Sequence, residues 1–215
     1  MFLGSPIYIK KAALMNQKNP VTIPNHNHLK VIIGLGNPGK QYYYQRHSIG
    51  FRILDELAKK HNLCWHTKGE SEQTELSRIP KQTDPTSVTQ PVNQQANKIL
   101  LIKPQTFMNN SGAIMPSLLK QGIEAGQILV IHDELEIPFV KITARIGGSH
   151  RGHNGLRSII ERCGPEFVRL RVGIGRPKDQ KDVGSYVLSP FDEPQEEIDT
   201  LIERSIVLIE QAILI

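Results

Sequence analysis

The segment VIIGLGNPGKQYYYQRHS, residues 31–48, joins an apolar, β-branched run to a glycine-rich turn and a polar stretch. A run of this kind followed directly by glycines is typical of a buried strand that ends in a tight turn. Gly34, Gly36 and Gly39 also have the spacing G-x-G-x-x-G, which is found in dinucleotide-binding α/β folds. The segment therefore favours an α/β fold and raises the question of which chemistry the glycines serve.

The surroundings of the glycines argue against a nicotinamide or flavin site. In such sites a helix begins within the glycine turn, so that its N-terminus faces the pyrophosphate. Here the polar segment KQYYYQRHS (40–48) comes before any predicted helix, and the acidic residue expected about 20 positions on is missing, since Asp55 lies mid-helix. We instead expect the glycines to turn the chain sharply and to present Asn37 at the carboxyl edge of the sheet, where open α/β sheets place their sites.

The rest of the chain alternates between strand-like and helix-like patterns. Apolar, β-branched runs predict strands over 29–35, 98–103, 128–132, 140–146 and 167–174, with a weaker one over 74–79. Helical periodicity predicts helices over 48–62, 111–122, 154–163 and 193–213. Ser48 is expected to cap the first helix. The fold class is therefore α/β, with a single three-layer α/β/α domain around a mixed, mostly parallel central sheet.

Two segments fall outside this alternation. Residues 1–28 contain no acidic residue and do not have the order of charged and apolar parts found in a secretory signal. We expect a disordered N-terminal extension there, followed by one domain over residues 29–215. The segment PKQTDPTSVTQPVNQQAN (80–97) is rich in Pro, Gln, Thr and Asn, which predicts a long surface loop.

Composition and charge narrow the class of protein and its partners. No apolar stretch approaches the roughly 18 residues of a membrane span, so no membrane association is expected. Cys64 and Cys163 have neither a disulfide framework nor metal-ligand spacing, which favours a reducing cytoplasm. The net charge of +5 is concentrated in residues 141–181, where ten Lys or Arg stand against three acids. Such an excess favours a polyanion partner, with a solvated basic face as the alternative.

Polar side chains that could carry chemistry follow several predicted strands. Asn37 and His47 follow the first, and the later segments PQTFMNNSG (104–112), IHDELEIP (131–138) and GGSHRGHNGL (147–156) contribute Phe107, Met108, Asn109, His132, Asp133, His153 and Asn154. One His, one Asp and several Asn can thus converge on one cleft. Each also has an ordinary structural interpretation, such as a surface histidine or a helix cap.

The residue pattern leaves few kinds of catalysis open. A metal site is disfavoured, because adjacent strand residues such as His132 and Asp133 point to opposite faces, and His150 and His153 lie in a glycine-rich loop. A serine nucleophile lacks the G-x-S-x-G motif, and neither cysteine lies near a base in sequence. A water nucleophile activated by a histidine remains.

Four segments together resemble the bacterial-type peptidyl-tRNA hydrolases: GLGNPGKQYYYQRHSIGF, KPQTFMNNSG, HDELEIP and GGSHRGHNGLRSII, in that order and spacing. RLRVGIGRP (169–177) and VGSYVLSPF (183–191) extend the resemblance, which covers about residues 29–210. It implies a single α/β/α domain that hydrolyses the ester between a peptide and the 3′ ribose of tRNA, and so recycles tRNA from stalled translation. It also implies peptidyl-tRNA as the partner. We expect a cytoplasmic protein that uses no cofactor and no metal, with a monomer as the default oligomeric state.

The resemblance also implies roles for individual residues. His47 matches the general base, Asp133 the residue that orients it, and Asn109 a residue that positions substrate and water. Asn37 matches the position that tells a blocked peptide from a free aminoacyl group. Four residues match positions that line the cleft for the 3′ end of the substrate: Tyr42, Phe107, Met108 and Asn154. Three arginines are candidates for tRNA phosphate contacts: Arg145, Arg151 and Arg157.

The chain departs from the family pattern at several points. Ser48 stands where the family usually has Asn, Arg151 replaces a usual Gly in the loop expected to gate the cleft, and the 80–97 loop is longer than usual. The chain also ends on the apolar stretch IVLIEQAILI, without the usual polar tail. Two other functions stay open: an RNA-binding relative without turnover, and a small-molecule ester hydrolase. The shared set of His47, Asp133, Asn109 and Asn37 argues against the first, and the basic segment against the second.

Overall fold

The computed structural model describes residues 21–24, 26–78, 98–177 and 182–213. Within these ranges seven strands form one sheet in the order β2-β3-β4-β1-β5-β7-β6. The strands are β1 (Val31–Gly34), β2 (His66–Lys68), β3 (Ser71–Ser77), β4 (Lys98–Pro104), β5 (Ile128–Glu134), β6 (Ile142–Ile146) and β7 (Val168–Gly173). The central strands β4, β1, β5 and β7 pair in parallel, and the outer strands pair antiparallel at both edges.

Helices cover both faces of this sheet. They are α1 (Ile49–Lys60), α2 (Met115–Lys120), α3 (Asn154–Cys163), α4 (Val183–Leu188) and α5 (Gln195–Ile213), with short 3-10 segments at His26–His28, Lys40–Tyr42, Arg46–Ser48, Met108–Ile114 and Ala125–Gln127. Because side chains alternate along a strand, Ile32 packs with Ile53 of α1 on one face, while Ile33 packs with Ile159 of α3 on the other. The predicted mixed sheet and three-layer α/β/α fold are confirmed.

The glycine-rich turn after β1 serves close packing. A Cβ on Gly34 would lie 2.5 Å from the carbonyl oxygen of Gly50, and a Cβ on Gly50 would lie 2.5 Å from the amide nitrogen of Leu35. The first turn of α1 therefore crosses the end of β1 in direct backbone contact. Gly39 has φ of +105°, a conformation that side chains rarely adopt. Helix α1 begins at Ile49, well after the turn, whereas a dinucleotide site needs a helix that begins within it.

The sequence misplaced or missed some elements. Strand β2 is only three exposed residues long and carries no apolar signal, and the short α4 was also not predicted. The predicted helix over 111–122 is a 3-10 segment, Met108–Ile114, followed by α2. The break has a local cause, since Asn110 has non-helical dihedral angles and Gly112 packs against the backbone of Ser158 in α3.

The chain is packed against the core before the predicted boundary at residue 29. Ile23 is buried in the core on the α1 face, and His26–His28 form a short 3-10 turn. The remainder of the predicted extension (1–20 and residue 25) and the predicted 80–97 loop lie outside the described residues. In the part of the chain that the structure describes, no helix is both long enough and apolar enough to cross a bilayer.

Candidate active site

A histidine and a carboxylate meet at the carboxyl ends of the central strands. His47 lies in the 3-10 turn that leads into α1, and Asp133 lies near the end of β5. Nδ1 of His47 is 2.9 Å from Oδ1 of Asp133, and both residues are buried. With the Nδ1 proton donated to the carboxylate, the Nε2 atom of His47 is left with a free lone pair.

A second histidine binds the same carboxylate oxygen. Nε2 of His153 lies 3.1 Å from Oδ1 of Asp133, and Nδ1 of His153 accepts the Leu156 N–H at 3.3 Å. His153 is the N-cap of α3, so Asn154 does not cap this helix. Because Nδ1 is an acceptor, the proton is on Nε2 and is donated to Asp133. We call His47, Asp133 and His153 the trio.

The sequence placed His153 near the cleft but gave it no role. The available signal was its position directly before α3, where a helix cap has a fixed orientation. The same trio also has the composition of a metal site, since one ligand atom from each residue lies within 4.8 Å of the others. The pairs that the sequence offered as metal ligands, His132–Asp133 and His150–His153, are different from this group. The trio draws its members from three separate elements, which spacing along the chain does not reveal.

Charge and burial set the protonation of the trio. Burial alone would lower the pKa of His47, but the Asp133 carboxylate raises it, and the net direction is upward from 6.5. Burial would raise the pKa of Asp133, but His47 and His153 hold it well below its ordinary 3.8. Burial keeps the pKa of His153 below 6.5. At neutral pH Asp133 is therefore an ionised carboxylate held between the rings of His47 and His153.

A third histidine, His132, packs against the trio. Its Nδ1 donates to the Asp133 carbonyl oxygen at 2.7 Å, and its ring packs edge-on against His153 with centroids 5.2 Å apart. Complete burial lowers the pKa of His132 to about 3, so the ring is neutral. Among the described residues its Nε2 atom has no hydrogen-bond partner.

The side chain of Asn37 is held in one orientation. Its Oδ1 atom accepts the Met108 N–H at 2.8 Å, so the amide NH₂ remains as the group that a substrate can meet. The Asn37 N–H in turn donates to Oγ of Ser48 at 3.2 Å. The prediction that Ser48 caps α1 is wrong for this reason: its side chain bonds the glycine-rich turn and makes no cap hydrogen bond to the helix.

Aromatic and amide side chains surround this turn. The rings of Tyr42 and Phe107 contact edge to face at 6.0 Å, and Phe107 is 57% exposed. Met108 is buried beside them, whereas Asn109 is exposed on the next position and Asn154 is exposed at the start of α3. Within the described residues, neither Asn109 nor Asn154 makes a side-chain hydrogen bond to the trio.

A cavity of about 210 Å³ extends from the trio into a group of arginines, and Asn154 also lines it. Arg145 and Arg151 line this cavity, while the predicted Arg157 lies exposed on α3 and does not. Arg171 is paired with Glu134 by two hydrogen bonds, at 2.8 and 3.0 Å. No such carboxylate partner is bonded to Arg145 or Arg151 among the described residues.

The loop above the cavity, residues 147–153, is here called the gate loop. It contains three glycines with positive φ, and Arg151 also has φ of +46°, where a Gly would be unstrained. Arg169 is buried beneath the loop and donates to the carbonyl oxygens of Gly148 and Ser149. Burial and neighbouring arginines lower the pKa of Arg169 to about 10.

Comparison with known proteins places this site in a family. The family described as Peptidyl-tRNA hydrolase matches residues 31–214. The chain is similar to the peptidyl-tRNA hydrolase of Aquifex aeolicus, with 40% identity over 86% of this chain and 90% of that one. It is 44% identical to the one from Dichelobacter nodosus over 74% of this chain and 78% of that one. A crystal structure of peptidyl-tRNA hydrolase from Acinetobacter baumannii superimposes with a TM-score of 0.71, at 30% identity over 87% of this chain and 93% of that chain.

Proposed function

The chain belongs to the peptidyl-tRNA hydrolase family, and we propose that it hydrolyses the ester between a peptide, or an N-blocked amino acid, and the 3′ ribose of tRNA. The observation that carries the mechanism is the 2.9 Å hydrogen bond between His47 Nδ1 and Asp133 Oδ1. It leaves Nε2 of His47 as a base at the edge of the sheet where the site lies.

In the proposed reaction His47 activates a water molecule. Nε2 takes a proton from the water as its oxygen attacks the ester carbonyl carbon, which gives a tetrahedral intermediate and an imidazolium ion. Collapse of the intermediate breaks the bond to the 3′ oxygen of the ribose, which receives the proton back from Nε2. The products are a peptide carboxylic acid and free tRNA. General-base help of this kind contributes roughly 10²–10⁴ in rate.

Asp133 supports this base in two ways. Its hydrogen bond fixes the ring orientation and the tautomer of His47, and its charge stabilises the imidazolium as it forms. The depressed pKa of Asp133 is consistent with a carboxylate that stays ionised during the reaction. The His153 N–H holds the carboxylate from the other side, so that Oδ1 stays directed at His47.

Asn109 and Asn37 are proposed to handle the substrate. An amide N–H of Asn109 can position the attacking water and stabilise the oxyanion, and its exposure beside the turn leaves it accessible to substrate. The NH₂ group of Asn37 can donate to a peptide carbonyl group. An uncharged amide offers no carboxylate to a free ammonium, which favours a blocked peptide over a free aminoacyl group.

The rest of the cleft is proposed to bind the tRNA acceptor end. Tyr42, Phe107, Met108 and Asn154 would contact the 3′ end, and Arg145 and Arg151 would contact phosphates from the cavity wall. Arg157 would do so from the exposed side of α3. An enzyme that accepts many tRNAs needs phosphate and shape contacts more than base readout. We further propose that the protein acts as a cytoplasmic monomer without metal or cofactor.

The test is the release of an N-acetylated amino acid from its tRNA, with free aminoacyl-tRNA as the comparison substrate. We expect wild type to cleave the blocked substrate much faster, and His47→Ala to lose 10²–10⁴-fold in kcat. His66→Ala, on exposed β2, is the matched control and should behave as wild type. Binding of tRNA without cleavage of either substrate would support the RNA-binding alternative. Equal cleavage of simple esters would support the small-molecule hydrolase.

A further inference from the structure

Arg46, next to the proposed base, is one of the most deeply buried charged residues in the described chain. Its side chain is 2% exposed, although it carries a full positive charge. Burying a charge is costly unless it is paired and hydrogen-bonded. The groups that bind the Arg46 guanidinium therefore show which parts of the chain this residue connects.

These partners all come from one segment more than 140 positions away. Nη1 donates to Ser189 Oγ at 2.8 Å and to the Pro190 carbonyl oxygen, and Nη2 donates to Asp192 and, at 3.0 Å, to Glu193. The guanidinium also lies 4.2 Å from the ring centroid of Tyr186. Backbone contacts run in parallel, since the Arg46 N–H donates to the Ser189 carbonyl oxygen at 3.0 Å.

The segment bound by Arg46 continues directly from a wall of the active-site cavity. Helix α4 lines that cavity with Val183, Gly184 and Val187, as residues of the gate loop also do. Its Tyr186 hydroxyl donates to the Ile174 carbonyl oxygen at 2.6 Å, beyond the end of β7. The segment from α4 to Glu193 is thus fixed on one side to β7 and on the other to the turn that carries His47.

We infer that Arg46 is a positioning residue for the hydrolysis, which holds the His47 turn and the α4 wall of the cavity in one arrangement. The inference rests on the proposed function, because it takes His47 to be the base. The two carboxylates compensate the charge of Arg46, so its contribution is the geometry of its hydrogen bonds. A displacement of about 1 Å by a residue outside the chemistry can cost about 10² in rate.

The closing experiment replaces the planar fork of Arg46 while keeping its charge. Arg46→Lys should lower kcat about 10- to 100-fold, because an ammonium cannot reach the four acceptors at once. Arg52→Lys is the matched control: Arg52 is also buried and faces the ring of Phe191 at 5.8 Å, but among the described residues it makes no hydrogen bond to the 186–193 segment. Its kcat should stay near the wild-type value.

A pH profile separates positioning from simple destabilisation. A loosened His47 turn weakens the contact with Asp133, so the acid limb of the kcat profile should move to lower pH in Arg46→Lys. A loss of folded protein would reduce the rate equally at every pH. Glu193→Ala removes one acceptor and leaves Arg46 in place, so it gives a smaller change in the same direction even if Arg46→Lys folds poorly.

The outcomes are distinguishable from a failure of the proposed function. If His47→Ala keeps wild-type activity in the same assay, the proposed base is wrong. If His47→Ala is inactive but folded Arg46→Lys matches wild type in kcat and pH profile, only the positioning role is overturned. An equal loss in Arg46→Lys and Arg52→Lys, with an unmoved profile, would also overturn it.

Discussion

Substitution of Asp133 by Asn is the sharpest test of the role proposed for the trio. The change keeps the shape of the side chain but removes its charge. In the wild type, Oδ1 of Asp133 accepts hydrogen bonds from both His47 and His153, at 2.9 and 3.1 Å. The neutral amide cannot stabilise the imidazolium, and it can turn its NH₂ group towards one of the rings. We therefore expect kcat to fall at nearly constant KM.

The structure sets an upper limit to this loss. Asp133 is proposed to act through His47, whose general-base contribution is roughly 10²–10⁴, so Asp133→Asn can cost no more than His47→Ala. We expect a loss of about 10²–10³ in kcat, and no further loss when Asp133→Asn is added to His47→Ala, because the two residues work as one unit. Asp199→Asn, on the exposed surface of α5, is the matched control.

The pH dependence gives a second, independent readout. His47 acts as a base only when neutral, so activity rises as pH increases through its pKa, which Asp133 holds above 6.5. Without the carboxylate this pKa falls, and the acid limb of kcat/KM moves to lower pH. Single-turnover kinetics on N-acetyl-aminoacyl-tRNA measure both quantities. Additive losses in the double variant, or an acid limb that does not move, would refute the reasoning.

Three further changes test the surroundings of the trio. His153→Ala keeps Asp133 beside His47 but removes the Nε2–H donor, so we expect only about a tenfold fall in kcat, near the value of one lost hydrogen bond to a charged group. A loss as large as that of Asp133→Asn would contradict this order. In Asn37→Asp the side chain still accepts the Met108 N–H but cannot donate to a peptide carbonyl group. The preference for N-acetylated over free aminoacyl-tRNA should therefore fall about 10- to 100-fold. An unchanged ratio would exclude Asn37 as the discriminating residue. Arg151→Gly relieves the positive φ of a non-glycine residue and should raise the free energy of unfolding by up to about 1 kcal/mol, which thermal melts measure. If Arg151 binds a phosphate, the slope of log KM against log salt concentration should also fall by about one, which KM at several salt concentrations measures.

The sequence predicted the frame of this molecule because its central strands are strongly apolar. Val31–Gly34 and Ile128–Glu134 are buried along their whole length, and such runs have few other stable arrangements. The edge strands of the sheet were harder to predict from the sequence. Strand β2 has only three residues, all exposed, and it is a strand because it pairs with β3. Helix α4 was missed because it depends on distant contacts: the residues that follow it bind Arg46, more than 140 positions earlier in the chain.

Residues of the candidate site were predicted unevenly for a related reason. Their positions at strand ends followed from the pattern, and the resemblance to the family supplied roles for His47 and Asp133. The role of His153 depends on the direction of one ring at the start of α3, and that of Ser48 on a hydrogen bond to Asn37 across the turn. Both roles depend on how the elements pack together, and the spacing of residues along the chain does not reveal that packing.

The contact between Gly34 and Gly50 has a consequence for how the cleft can adapt. Because backbone meets backbone there, the distance between the start of α1 and the end of β1 is set by the path of the chain and not by side-chain packing. The gate loop also lines the cleft, and Arg169 bonds it at Gly148 and Ser149. One wall of the cleft is therefore set by backbone contact. In the gate loop, Arg169 makes no hydrogen bond to His150–Gly152 among the described residues, and we expect adjustment of the loop to be greatest there.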